Sequence, residues 1–202
     1  MGYRMKAIIL LILFSSLTGL YGINRYALSC RNDLLAESGR IAKEQVGVIE
    51  YRRNSGKMIS RYLRAVGLPE GQPYCAAGQY WCFAEACRLL SINRNEIPLP
   101  RTGLANSMFN YAKKYGKPTK PIAQIGDLIV WRRGKSIFGH IERIIAKVKA
   151  GWFYTIGFNT SKYINGKKYE GVFVQKRNIY HFLGRLRFRG FIGFNTRRQY
   201  DT

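Results

Sequence analysis

Most of the chemistry this 202-residue chain can offer rests on a few positions, led by Cys75, His140 and Asn159. Cys75 follows Gly71-Gln72-Pro73-Tyr74 and opens the small-residue run Ala76-Ala77-Gly78. The spacing predicts a helix from Tyr74 to Leu90, which sets Cys75 at its N-terminus. There the macrodipole favours the thiolate, the nucleophilic form of the side chain. The first N–H groups of a helix lack partners within it, so that of Cys75 can meet a developing oxyanion. His140 stands in Phe138-Gly139-His140-Ile141-Glu142, at the start of an alternating stretch. An imidazole beside a thiol holds the ion pair and protonates a leaving amine. A third group on the other ring nitrogen fixes the ring, and Asn159, one strand later, is the expected orienter. Glu142 shares a strand face with His140 and is an accessory candidate, although its plainer reading is an outward-facing charge. Gln72 and Tyr74 are candidate oxyanion or substrate contacts. A lone cysteine is ordinarily a packing residue. His140 and Asn159, following in order, lift Cys75 above that reading.

The remaining cysteines and histidine add no second site. Cys75 and Cys82 lie two helical turns apart, about 10 Å of rise, beyond the roughly 7 Å that a disulfide spans between Cα atoms. Cys82 and Cys87 point in different directions, which leaves Cys30 as the one cysteine able to partner another. No CxxC spacing occurs and His140 and His181 are far apart, so neither a metal site nor a cofactor is expected. Cys82 reads as part of the helix's core stripe with Phe83, Ala86 and Leu89/Leu90, with Cys87 off it. His181 reads as structural or surface.

These residues need elements to hold them. Helices are expected over Asp33–Val46, Lys57–Val66, Tyr74–Leu90 and Leu104–Tyr115, the last two on periodicity and helix-end residues such as Gly116 and Pro118. Strands are expected over Asp127–Trp131, Phe138–Val148, Trp152–Thr160, Tyr169–Lys176 and Leu186–Phe194, all rich in β-branched and aromatic residues. Helices followed by a run of strands imply an α+β domain, with N-terminal helices packed on a C-terminal antiparallel sheet.

In order, the chain carries Tyr74-Cys75-Ala76-Ala77 with Trp81-Cys82, Ile125-Gly126-Asp127-Leu128-Ile129-Val130-Trp131, Gly139-His140-Ile141 and Thr155 to Thr160. This series resembles the CHAP family, the cysteine, histidine-dependent amidohydrolase/peptidases of papain-like fold that cut peptidoglycan. The resemblance implies Cys75 as nucleophile and His140 as base. Many members carry Glu-Gly-Asn after the histidine strand. Here Gly157-Phe158-Asn159 takes that place, so Asn159 is kept and the acidic position is Gly157. The implied activity is cleavage of an amide in or next to the stem peptide, by an amidase or an endopeptidase. The alternative is a non-catalytic envelope-binding module that keeps the fold.

Composition sets the surroundings. Lys and Arg number 34 against 11 Asp and Glu, a formal charge of +23, while 47% of residues are hydrophobic. Such a chain can bury a core and calls for a polyanionic partner: nucleic acid, anionic lipid or an acidic wall polymer. Arg4 and Lys6 precede an apolar run from Ala7 to Phe14 that continues more weakly to Ile23. That pattern suits a cleaved signal peptide, an uncleaved membrane anchor or, more blandly, a buried helix. Ala27-Leu28-Ser29-Cys30 looks like a lipobox, with an ordinary cysteine as its competing reading. The expected division is a leader or anchor with a short linker over residues 1–32 and a hydrolase domain over 33–202, ending in a basic tail. Export to the periplasm or cell envelope disfavours nucleic acid and favours peptidoglycan or another anionic envelope polymer, bound by a monomer. Lys176, Arg177, Arg185, Arg187, Arg189, Arg197 and Arg198, with Arg132, Arg133 and Lys135, read as its basic face.

Overall fold

A computed structural model describes residues 24–197. The apolar run before Asn24 and the tail from Arg198 lie outside the described residues, and with them the leader, anchor and tail expectations. Among the described residues no helix is long and apolar enough to cross a membrane.

The chain is mixed α and β. In order it forms β1 (Arg25–Arg31), α1 (Asn32–Glu44), α2 (Lys57–Ala65), α3 (Cys75–Leu89) and α4 (Ala105–Tyr115). Then come β2 (Lys117–Pro118), β3 (Leu128–Arg132), β4 (Gly139–Lys147), β5 (Trp152–Ile164), β6 (Lys167–Asn178) and β7 (Arg187–Arg197). The seven strands make one sheet, ordered β2-β1-β7-β3-β4-β5-β6. The sheet is not wholly antiparallel as expected: β1 pairs with β7 in parallel, Arg25 opposite Phe191 through Arg31 opposite Arg197.

Residues 25–31, which the expected division at residue 32 puts with the leader and its linker, thus form a strand of the sheet. Arg25 explains why. Its guanidinium is buried and donates to both oxygens of buried Asp127, at 2.7 and 3.0 Å, and to Thr119. Cys30 is 1% exposed, inside the core. Cleavage before Cys30 would strip Arg25 from Asp127, which favours the ordinary-cysteine reading of Cys30 over a lipobox.

β3 shows why its sequence is an unbroken apolar run rather than an alternating one. Leu128 and Val130 join a large core with Leu34, Tyr62 and Phe83, whereas Ile129 and Trp131 join a second with Ile144, Phe153 and Phe191. A strand buried on both faces has no polar side to show. Helix α3 is likewise buried on nearly every side, as its small residues permit. Cys87 is buried with the rest, while Leu89 and Leu90, expected in the core stripe, face solvent. All four cysteines are buried.

Candidate active site

The first turn of α3 is pressed against β5. A side chain at Gly78 would run into the Phe158 ring, so only glycine lets the helix approach this closely. That contact sets the height of Cys75, three residues earlier. Gly139 does the same for β4: a Cβ there would meet the Trp131 carbonyl and the Asn106 side chain. His140 follows at once, opposite Trp131 in the β3–β4 ladder.

Cys75 is 5% exposed and shares a hydrogen bond with the His140 ring. The Nε2 atom of the ring lies 2.9 Å from Oε1 of Glu142, two residues along the same strand face. Burial disfavours the charged imidazole. The bonds to Cys75 and Glu142 outweigh it and hold its pKa up to about 9. Glu142 is wholly buried, which by itself would favour its neutral form. Its bonds to His140 and Arg177 overcome this and hold the carboxyl down to about 2. Arg177 on β6 donates through Nη2 to Oε1 at 2.7 Å and through Nε to both oxygens, at 3.1 and 3.0 Å. Thr155 on β5 donates its hydroxyl to Oε2 at 2.5 Å. The carboxylate is fully partnered and cannot turn away from the ring.

Glu142 is thus no outward-facing charge. It stands directly opposite Gly157 in the β4–β5 ladder. A Cβ at Gly157 would lie 2.7 Å from its Oε1. The missing side chain at 157 leaves the space that this carboxylate enters.

Asn159 does not hold the imidazole as expected. It sits at a register irregularity of β5 with φ +56°. Its amide donates to Asn54 Oδ1 at 2.6 Å and to Glu50 Oε1 at 3.4 Å. Tyr74 is fully buried and donates its hydroxyl to the same Glu50 oxygen at 3.0 Å, so that hydroxyl is committed inside the fold. Asn54 also donates to the Gly71 carbonyl. This cluster ties the loop before Cys75 to the middle of β5. Gln72 is exposed on that loop.

Asn159 and His140 line one cleft of about 500 Å³, shared with Glu50, Arg53, Glu170 and Arg177. Arg177, Thr155, Glu50 and Asn54 escape the sequence reading. Only the tertiary fold brings them to His140 and Asn159, and Arg177 looks in sequence like any other cation of a basic stretch. His181 is exposed and lies edge-on to Trp152, away from these residues. Burial pushes the Cys82 thiol up to about 12. Among the described residues, no group of three His, Cys, Asp or Glu side chains is arranged to hold a metal ion.

No curated protein and no solved structure matches the chain. Residues 67–159, just under half of it, match the family model described as the CHAP domain. The match begins shortly before Cys75, takes in His140 and Glu142, and ends on Asn159, so the segment that carries the candidate site is similar to the CHAP domain.

Proposed function

We propose that this chain is an exported peptidoglycan hydrolase that cuts an amide in or next to the stem peptide. The observation that carries the reading is the hydrogen-bonded line from the Cys75 thiol through His140 to buried Glu142, beside an open cleft. The CHAP family, one of amidase- and peptidase-type hydrolases, supports the reaction class.

The Cys75 thiolate attacks the carbonyl carbon, and the helix-terminal N–H groups meet the oxyanion. His140, as imidazolium, gives its proton to the departing amine, leaving a thioester on Cys75. The neutral ring then takes a proton from water, whose oxygen attacks the thioester and frees the carboxylic acid. Glu142, rather than Asn159, orients the ring. Asn159, Glu50 and Asn54 shape the cleft wall with Pro73, the residue after exposed Gln72. A papain-like placing of the helices on the sheet belongs to the same reading. So does a wall polymer drawn in by the positive charge, and so does an apolar N-terminal run that exports or anchors the chain. The non-catalytic alternative rests on the absent acid at 157 and on the positive charge, and Glu142 beside the imidazole answers the first of these.

Purified peptidoglycan is digested with the wild-type chain and with Cys75→Ala, and the fragments are read by mass spectrometry. New carboxyl ends from the wild type alone, on a peptide or on the lactyl group of muramic acid, are the expected result. Matching fragment patterns from both proteins overturn the reading.

A further inference from the structure

Beside His140, the β3–β4 turn displays two adjacent large apolar side chains, Ile137 at 63% and Phe138 at 60% exposure. A turn with no task would not be held as this one is. Asn106 Nδ2 donates to the carbonyls of Ser136, Ile137 and Phe138, at 3.3, 3.0 and 3.0 Å. The Arg132 guanidinium donates to the carbonyls of Ser136 and Lys135, at 2.9 and 2.6 Å. Arg189 in turn grips Asn106 through its side-chain and backbone oxygens. The turn is therefore stiff, and its apolar residues point outward on a fixed frame.

Sheet register brings a third apolar residue to the same end. Arg132 pairs with Gly139 on one side and with Arg187 on the other. The Arg187 guanidinium covers the ring of Phe182, which is 62% exposed. Arg133 and Lys135 are exposed on the turn itself. Between Ile97 and Tyr200 the sequence holds only Asp127, Glu142 and Glu170. Asp127 and Glu142 are buried against Arg25 and Arg177, while Glu170 pairs with Lys168 and lines the neighbouring cleft with Glu50. Exposed aromatic and aliphatic side chains set among cations match the interface of an anionic bilayer, where rings enter the headgroup layer and cations meet phosphates.

The path of the chain favours lipid over a soluble polyanion. Because β1 runs parallel to β7, both strands enter the sheet from the Arg187 end. Asn24 is fastened there, its carbonyl accepting from the Phe191 N–H at 2.8 Å. The apolar run ending at Ile23 joins the fold on the side where Ile137, Phe138 and Phe182 are displayed.

We propose that this end of the sheet is a membrane-facing surface. Ile137, Phe138 and Phe182 dip into the headgroup layer of an anionic bilayer, and Arg133, Lys135 and Arg187 bind its phosphates. The cleft at His140 then opens close to the membrane. The proposal does not depend on the hydrolase reading.

Hydroxyl-radical footprinting of the full chain mixed with lipid vesicles tests it. One set of vesicles is phosphatidylcholine alone and the other contains phosphatidylglycerol. Oxidation of Ile137, Phe138 and Phe182 should slow several-fold only with phosphatidylglycerol and recover at high salt. Tyr115, exposed at the opposite end of α4 from Asn106, should not change. The double substitution Arg133→Glu with Lys135→Glu should abolish the protection, and neither side chain supports the turn. Equal oxidation with both vesicle types overturns the proposal. So does protection by peptidoglycan fragments but not by lipid, or protection that grows with protein concentration in the absence of vesicles.

Discussion

Glu142 faces Gly157 across the β4–β5 ladder, and the two residues share one volume. A carboxylate coming from either strand would reach the same side of the imidazole, so an acid at 142 is compatible with glycine at 157. A methyl group at 157 competes for that space. Gly157→Ala should displace the carboxylate and lower kcat, while Glu142→Gln should lower it about 100-fold through loss of ring orientation. Steady-state kinetics on solubilised wall fragments, with circular dichroism to verify folding, check both substitutions. Arg177 acts one step further out. It shares the Glu142 charge with His140, so its removal leaves the carboxylate's field to the imidazolium alone. The imidazolium is needed to protonate the leaving amine, and activity should fall as pH rises through about 9. In Arg177→Met that alkaline limb should move to higher pH, together with a drop in kcat. A merely structural arginine would leave the limb in place. Cys75 and His140 are legible in the chain because a helix start and a strand start each leave a local mark. The choice between Asn159 and Glu142 is not, because it turns on a β5 irregularity that carries the Asn159 amide to Asn54 and Glu50.

At the scale of elements, helices α1 to α4 and strands β3 to β7 follow from local periodicity to within a few residues. Strand β1 does not. Its partner β7 lies more than 160 residues away in sequence, and its own composition sits beside an apolar run that reads as a leader. Its register is set by Arg25, whose pairing with Asp127 no local pattern announces. Because a buried carboxylate left without its cation is costly, Arg25→Leu should destabilise the fold by about 3–5 kcal/mol. Urea denaturation checks the figure, and a loss under 1 kcal/mol would mean that β1 is an accessory strand. Gly78 and Gly139 belong to this scale too. Each removes a side chain so that a neighbouring element can close in, α3 onto Phe158 and β4 onto the Trp131 carbonyl, and between them they set Cys75 beside His140.

Over the whole molecule, the large positive charge divides into cations with internal tasks and cations without. Arg25, Arg143, Arg177 and Arg189 are held by side-chain or backbone partners inside the fold. The basic face read from the sequence is thinner than its residue count suggests. Of the exposed cations, Arg133, Lys135, Arg185 and Arg187 lie on the β3–β4 turn and the segment leading into β7, while Arg61, Arg64, Lys113 and Lys114 are exposed on the helices. The most direct test is digestion of purified peptidoglycan in heavy-oxygen water, followed by mass spectrometry of the fragments. The account predicts that each newly freed carboxyl, on a peptide or on the lactyl group of muramic acid, carries a single heavy oxygen, delivered by the water that opens the Cys75 thioester, and that Cys75→Ala yields none. Unlabelled new carboxyls, or labelled ones in equal amount from Cys75→Ala, would contradict it.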